Sequence, residues 1–162
     1  MTGSIELDLS LIEAAHLTDL IDQFLEVVTA PGSTDDPAVA RLVPDAYRDD
    51  EAAASEFRRL TQSDLLDRRR VDAQVVATTL LRDGERLSPA SLNVTQFDER
   101  LHVVLDRPAS GAWLRTLSAL RLVLATRLGV HSEDDHDDTD GRFGIYDWLG
   151  YRLDGLVRAL DR

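Results

Sequence analysis

Eight side chains with potential metal-binding atoms lie within ten consecutive residues, between His131 and Asp140. Calcium and magnesium prefer carboxylate oxygens as ligands. A calcium loop needs a carboxylate at its first ligand position, but aligning Gly141 with the glycine of such a loop places His136 there. The sequence therefore predicts a flexible acidic loop over residues 131–141 and no specific metal site.

Histidines are the next candidates for catalysis, and the chain has four of them: His16, His102, His131 and His136. None has a serine or aspartate at a spacing typical of a catalytic triad. The sequence also lacks a P-loop, a dinucleotide-binding glycine pattern and an H-E-x-x-H motif, and it contains no cysteine. We therefore assign no catalytic residue and no cofactor. A metal-dependent hydrolase built from the acidic loop and His102 is the third of three hypotheses for function.

Three consecutive arginines, Arg68 to Arg70, lie in a segment of helical periodicity and would offer positive charge to nucleic acid. Carboxylates at helical spacing, Asp67 and Asp72 among them, interrupt this charge, and such pairs are typical of a solvated helix face. The net charge of −12 also opposes nucleic-acid binding. A DNA-associated transcriptional regulator that uses the arginine-rich helices is therefore the second hypothesis, and nucleic acid is a disfavoured partner.

Two short segments combine aromatic and charged side chains, as protein-binding surfaces do. One lies at a predicted helix junction and the other in the last predicted helix. Their candidate interaction residues are Tyr47, Arg48, Asp49, Arg58, Arg59, Asp147 and Trp148. Each segment also fits a structural role, because arginine–aspartate pairs and buried aromatic rings stabilise helix corners.

The spacing of apolar residues predicts a mainly α fold, a single-domain helical bundle of five or six helices. Alternating apolar residues predict a short strand near residues 4–9. Residues 101–105 are of β-forming types and would complete a small two-stranded β element, with a loop as the alternative interpretation of residues 87–105. The clearest helix begins at a capping box formed by Ser10 and Glu13. A helix between Asp106 and Gly129 is apolar over most of its circumference, so we expect it to be the central one.

The segment from 50 to 82 also has helical periodicity, and it contains a second capping signal at Thr61 and Asp64. We therefore predict two helices with a bend between them. The last helix carries an apolar stripe that we expect to pack on the core, formed by Tyr146, Leu149, Leu153, Leu156, Val157 and Leu160.

Length and composition favour one domain over residues 1–162, with 43% hydrophobic and 30% charged residues. The N-terminus lacks the pattern of a secretory signal, and no apolar run is long enough to span a membrane. The absence of cysteine is compatible with a reducing compartment. We therefore expect a cytoplasmic protein without a membrane partner.

Three stretches resemble an actinobacterial family of unknown function, DUF2017: LVPDAYRDDEAAASEFRRLT, WLRTLSALRLVLATRLGV and YDWLGYRL. They follow one another across most of the chain. The resemblance implies a bacterial, intracellular, mainly helical protein without an established activity, so it assigns no catalytic residue. Family members tend to be encoded near the adaptor of the Clp protease, and this association implies a link to proteostasis.

The first hypothesis for function is a non-enzymatic interaction or regulatory domain. It rests on the absence of catalytic motifs and on segregated charge, since no basic residue precedes Arg41 while eight carboxylates lie between Glu6 and Asp36. The expected partner is a protein, and a homodimer is one version of this hypothesis.

Overall fold

The computed structural model describes residues 3–32, 35–43, 51–129 and 143–162, and between 51 and 60 it describes the backbone alone. The described helices and strands, in chain order, are β1 (Ile5–Ser10), α1 (Leu11–Thr29), α2 (Pro37–Ala40), α3 (Glu51–Thr79), β2 (Arg100–Leu105), α4 (Arg107–Leu128) and α5 (Gly144–Leu160). Two short 3-10 turns, Pro89–Ser91 and Val94–Gln96, precede β2. The predicted mainly α fold with a small β element is confirmed.

The two strands pair antiparallel, with Ile5 opposite Leu105 and Ser10 opposite Arg100. Alternate side chains face the core, because successive residues of a strand point to opposite faces of the sheet. Leu9 and Leu105 are fully buried, whereas Asp8 and other polar residues face outward. The sheet therefore closes one side of the hydrophobic core.

Each strand leads directly into a capped helix. The Ser10 hydroxyl accepts a hydrogen bond from the backbone N–H of Glu13 at 3.2 Å, which begins α1 as predicted. The Asp106 carboxylate accepts one from the backbone N–H of Ala109 at 2.9 Å, which begins α4. The two caps fix the starts of α1 and α4 at opposite ends of the two-stranded sheet.

The prediction of two helices within residues 50–82 was wrong, since α3 is one helix of 29 residues. Neither glycine nor proline occurs within it, so nothing prevents the helical hydrogen bonds from continuing through Thr61 and Asp64. Burial of Leu66, Ala73 and Val76 along one face supports the continuous helix. The capping signal was local, and the packing of the described part of this face, from Leu66 onward, outweighs it.

The central position of α4 is confirmed. It packs against α2, α3, α5 and β2, and it buries Trp113, Leu117 and Leu120. The prediction for α5 was right in part: Leu149 and Leu156 are buried, but Val157 and Leu160 are 46% and 42% exposed. None of the described helices has the length and hydropathy needed to cross a membrane.

Replacing Gly129 by alanine is expected to lower the free energy of unfolding by about 1–2 kcal/mol, since this residue ends α4 in the left-handed conformation with φ of 77°. A β-carbon there would meet no other atom within 4 Å, so the cost is conformational. The matched control, Gly155→Ala inside α5, should instead stabilise by about 0.5–1 kcal/mol. Urea unfolding of both variants measures the difference, and changes of the same sign would contradict this account.

Candidate interaction surface

The predicted interaction residues are described only in part. Tyr47, Arg48 and Asp49 lie outside the described residues. Arg58 and Arg59 belong to α3, but their side chains lie in the stretch that is described by its backbone alone. The predicted surface around this helix junction therefore stays a prediction. Asp147 and Trp148 lie on α5, where Asp147 is exposed and Trp148 is half-buried.

Trp148 connects α5 to the start of α1. Its indole N–H donates a hydrogen bond to Oε2 of Glu13 at 2.9 Å, and Nη2 of Arg152 donates to the same oxygen at 2.5 Å. The guanidinium carbon of Arg152 lies 5.9 Å from the centre of the Trp148 ring. Trp148 and Arg152 are four residues apart, so one face of α5 presents both donors.

Glu13 joins this contact to the cap of α1. Its second oxygen accepts a hydrogen bond from the Ser10 hydroxyl at 3.1 Å. Partial burial raises the pKa of the Glu13 carboxyl, but the hydrogen bonds from Arg152, Trp148 and Ser10 together outweigh it and hold that pKa below its ordinary value. The carboxylate is therefore ionised at neutral pH.

This cluster of Ser10, Glu13, Trp148 and Arg152 fixes α5 on the body of the protein. Both Glu13 oxygens already accept hydrogen bonds, so this carboxylate is poorly suited to act as a general base. The sequence revealed the capping box and the aromatic residue separately, but not their contact across the fold. Arg152 was missed, although its position four residues after Trp148 was the available signal.

The outward side of α5 remains in solvent. Tyr151 is 73% exposed, and its ring centre lies 5.8 Å from the guanidinium carbon of Arg152. Ile145, Val157 and Leu160 are also exposed, but they lie on other faces of α5 than Tyr151. An aromatic residue exposed to this degree on a fixed helix is available for contact with another molecule.

The arginines of α3 are partly neutralised within the fold. Nη2 of Arg70 lies 3.1 Å from Asp67, in the self-pairing that the sequence predicted. Asp72 binds Arg115 of α4 through two hydrogen bonds of 2.8 and 3.1 Å. The Arg70–Asp67 pair lowers the positive charge that α3 would present to a nucleic acid. Asp72 neutralises Arg115 of α4 and not an arginine of α3.

Potential metal ligands do not cluster in the described part of the chain, where no three of them are close enough together to hold an ion. His102 lies on the outer face of the sheet, with Nε2 3.8 Å from Glu6 Oε2. The acidic segment 131–141 falls outside the described residues, so its predicted flexibility stays a prediction.

Comparison with known proteins places this fold in a family. The model of a domain of unknown function, DUF2017, matches residues 1–160. Similar curated proteins are the oxidative stress regulator AosR of Mycobacterium bovis and that of Mycobacterium tuberculosis, each 27% identical over 143 residues. The match covers 77% of this chain but only 58% of each relative. No solved structure matches the chain. The chain belongs to the DUF2017 family, as its three sequence stretches predicted.

Proposed function

We propose that this chain is a non-enzymatic regulatory domain that acts in the cytoplasm by binding a protein partner through the outward side of α5. The exposed Tyr151 is the observation that carries this proposal. The name of the relatives, a stress regulator, also supports a regulatory role. The resemblance links this regulatory role to proteostasis.

The chemistry of α5 suits a protein partner. Tyrosine is enriched among the residues that dominate the energy of protein interfaces, and the Tyr151 ring lies beside the guanidinium of Arg152, which itself binds Glu13. The helix is also held in place, because Leu149 and Leu156 are buried and Trp148 is hydrogen-bonded to Glu13. Binding through α5 would therefore require little ordering of the helix, which favours affinity.

Affinity capture from the native cytoplasm at low and high salt tests this proposal, with bound proteins and nucleic acid both identified. The wild-type chain should retain a specific protein, and Tyr151→Ala should lose it. The matched control is Val94→Ala, which removes an apolar side chain that is 78% exposed in a 3-10 turn and should change nothing. Capture of nucleic acid alone, released by salt, would instead support the DNA-associated regulator.

A separate prediction concerns the response of the chain to thiol oxidants. The 162 residues contain no cysteine, so the chain itself cannot form a disulfide or a sulfenic acid. Treatment of the purified chain with diamide should leave its unfolding curve and its mass unchanged, even though the relatives are named for oxidative stress. A shift in either quantity would show that redox chemistry other than that of cysteine acts on the chain.

A further inference from the structure

Three Asp–Gly pairs occur in the sequence, at residues 83–84, 140–141 and 154–155. In such a pair the backbone nitrogen of the glycine can attack the aspartate side chain, because glycine has no β-carbon to hinder the approach. The pair 140–141 lies outside the described residues. The structure places the other two pairs in different surroundings, one in a turn and one in a helix.

Asp83 and Gly84 form the tip of a tight turn shortly after α3. Both have a positive φ, 53° and 80°, as the central residues of a type I′ turn do. Backbone hydrogen bonds of 2.9 Å join Arg82 and Glu85 in both directions at the base of the turn. Glycine adopts a positive φ freely, but aspartate in this conformation is strained by about 1–2 kcal/mol. Opening the turn therefore relieves strain at Asp83.

The two reacting groups of this pair make no other contact in the described part of the chain. There the Asp83 carboxylate forms no hydrogen bond or ion pair, and the Gly84 N–H donates no hydrogen bond. Both residues are exposed, and a β-carbon on Gly84 would meet no atom within 4 Å. Once the turn opens, the nitrogen reaches the carboxyl carbon without a neighbouring side chain in its path.

The pair Asp154–Gly155 has the same residue types but is held in place. It lies inside α5, where the helical pattern of hydrogen bonds engages the N–H of Gly155. The Asp154 carboxylate lies 2.9 Å from Nη2 of Arg158. A reaction between these two residues requires local unfolding of the helix first, so this pair should be the slower one.

We propose that Asp83 is a site of spontaneous isomerisation to isoaspartate. The Gly84 nitrogen forms a bond to Cγ of Asp83, its proton and the carboxyl OH leave together as water, and a five-membered succinimide ring results. Water then adds to the α-carbonyl carbon of Asp83 and breaks the bond between this carbon and the Gly84 nitrogen. The backbone now runs through Cβ and Cγ of residue 83, which carries a free α-carboxylate, and the mass of the chain is unchanged.

Isomerisation lengthens the backbone of the turn by one carbon atom, so the two hydrogen bonds between Arg82 and Glu85 cannot both persist. Arg82 and Arg86 flank the tip of this turn and bind Glu99 and Asp22. These ion pairs join the turn to the residue before β2 and to α1. The modification should therefore loosen both connections as the protein ages.

Ageing of the purified full chain at slightly acidic pH and physiological temperature, followed by proteolysis, tests the proposal. Chromatography separates the isomeric peptides, which have equal mass, and fragmentation identifies the position of the isoaspartate. It should accumulate at position 83 at least about tenfold faster than at position 154, because unfolding of α5 adds to the barrier there. Asp83→Glu should abolish the product at position 83, since its longer side chain would have to close a six-membered ring.

Ageing in urea is the matched control, because unfolding gives both pairs the same freedom. The two positions should then react at similar rates. Equal rates in the folded chain, no isoaspartate at position 83, or a difference that persists in urea would overturn the proposal. The purified chain has no partner in this test, so the outcome is independent of the proposed function.

Discussion

Replacing Trp113 by alanine is expected to lower the free energy of unfolding by about 3–5 kcal/mol, the usual cost of removing a large buried aromatic side chain. The residue is only 1% exposed at the centre of the fold. Its indole N–H also donates a hydrogen bond to the Thr79 hydroxyl at 2.9 Å, which ties α4 to the end of α3. Urea unfolding followed by far-ultraviolet circular dichroism measures the change.

Trp113→Phe separates the two contributions. It keeps most of the apolar volume but loses the hydrogen bond, so we expect a loss about 2 kcal/mol smaller than that of the alanine variant. If Trp113→Ala cost less than about 1 kcal/mol, the central position assigned to α4 would be wrong.

Replacing Glu13 by alanine is expected to lower the free energy of unfolding by about 2 kcal/mol. The change removes the acceptor of the Arg152, Trp148 and Ser10 hydrogen bonds and leaves a half-buried guanidinium without its carboxylate. The side chains of Glu13 and Arg152 are 28% and 20% exposed, so solvent moderates the effect. The control Glu85→Gln, at an exposed turn, should change stability by no more than about 0.5 kcal/mol.

The contribution of Glu13 should also depend on pH. Its pKa is lower in the folded chain than in the unfolded chain, so its stabilisation is complete above the unfolded pKa and is lost as the pH falls through the folded pKa. The stability difference between wild type and Glu13→Gln should therefore be constant near neutral pH and shrink in acid, below the ordinary range of glutamate. A difference that grows in acid would contradict the assigned hydrogen bonds.

Local signals in the sequence predicted much of the fold. Serine and aspartate favour the start of a helix, and glycine favours its end. As predicted, Ser10 and Asp106 begin α1 and α4, and Gly129 ends α4. The shared pattern of a strand followed by a cap suggested that the two strands pair, but only the structure decides that they do. The prediction failed at Thr61, where a capping signal lies inside a continuous helix. No glycine or proline interrupts this helix, and its described face packs on the core at Leu66, Ala73 and Val76.

The contact between α5 and the start of α1 was harder to predict from the sequence than the helices themselves. Trp148 and Glu13 are 135 residues apart, and only the folded chain shows that they share a hydrogen bond. A shallow apolar groove between α1 and α4 likewise depends on how two helices meet. Helical periodicity predicted the apolar stripes of these two helices. It did not predict which part of each stripe stays in contact with solvent. Contacts distant in sequence therefore determine the surface that the proposed function uses.

The most direct test of the proposed function is photo-crosslinking at Tyr151 in the native cytoplasm. A photoreactive phenylalanine analogue replaces Tyr151, and the same analogue at Val94 is the control, since both positions are exposed. We predict a crosslinked product at position 151 that protease destroys and nuclease does not, and no such product at position 94. A product destroyed by nuclease, or no product at position 151, would contradict a protein-binding function of α5.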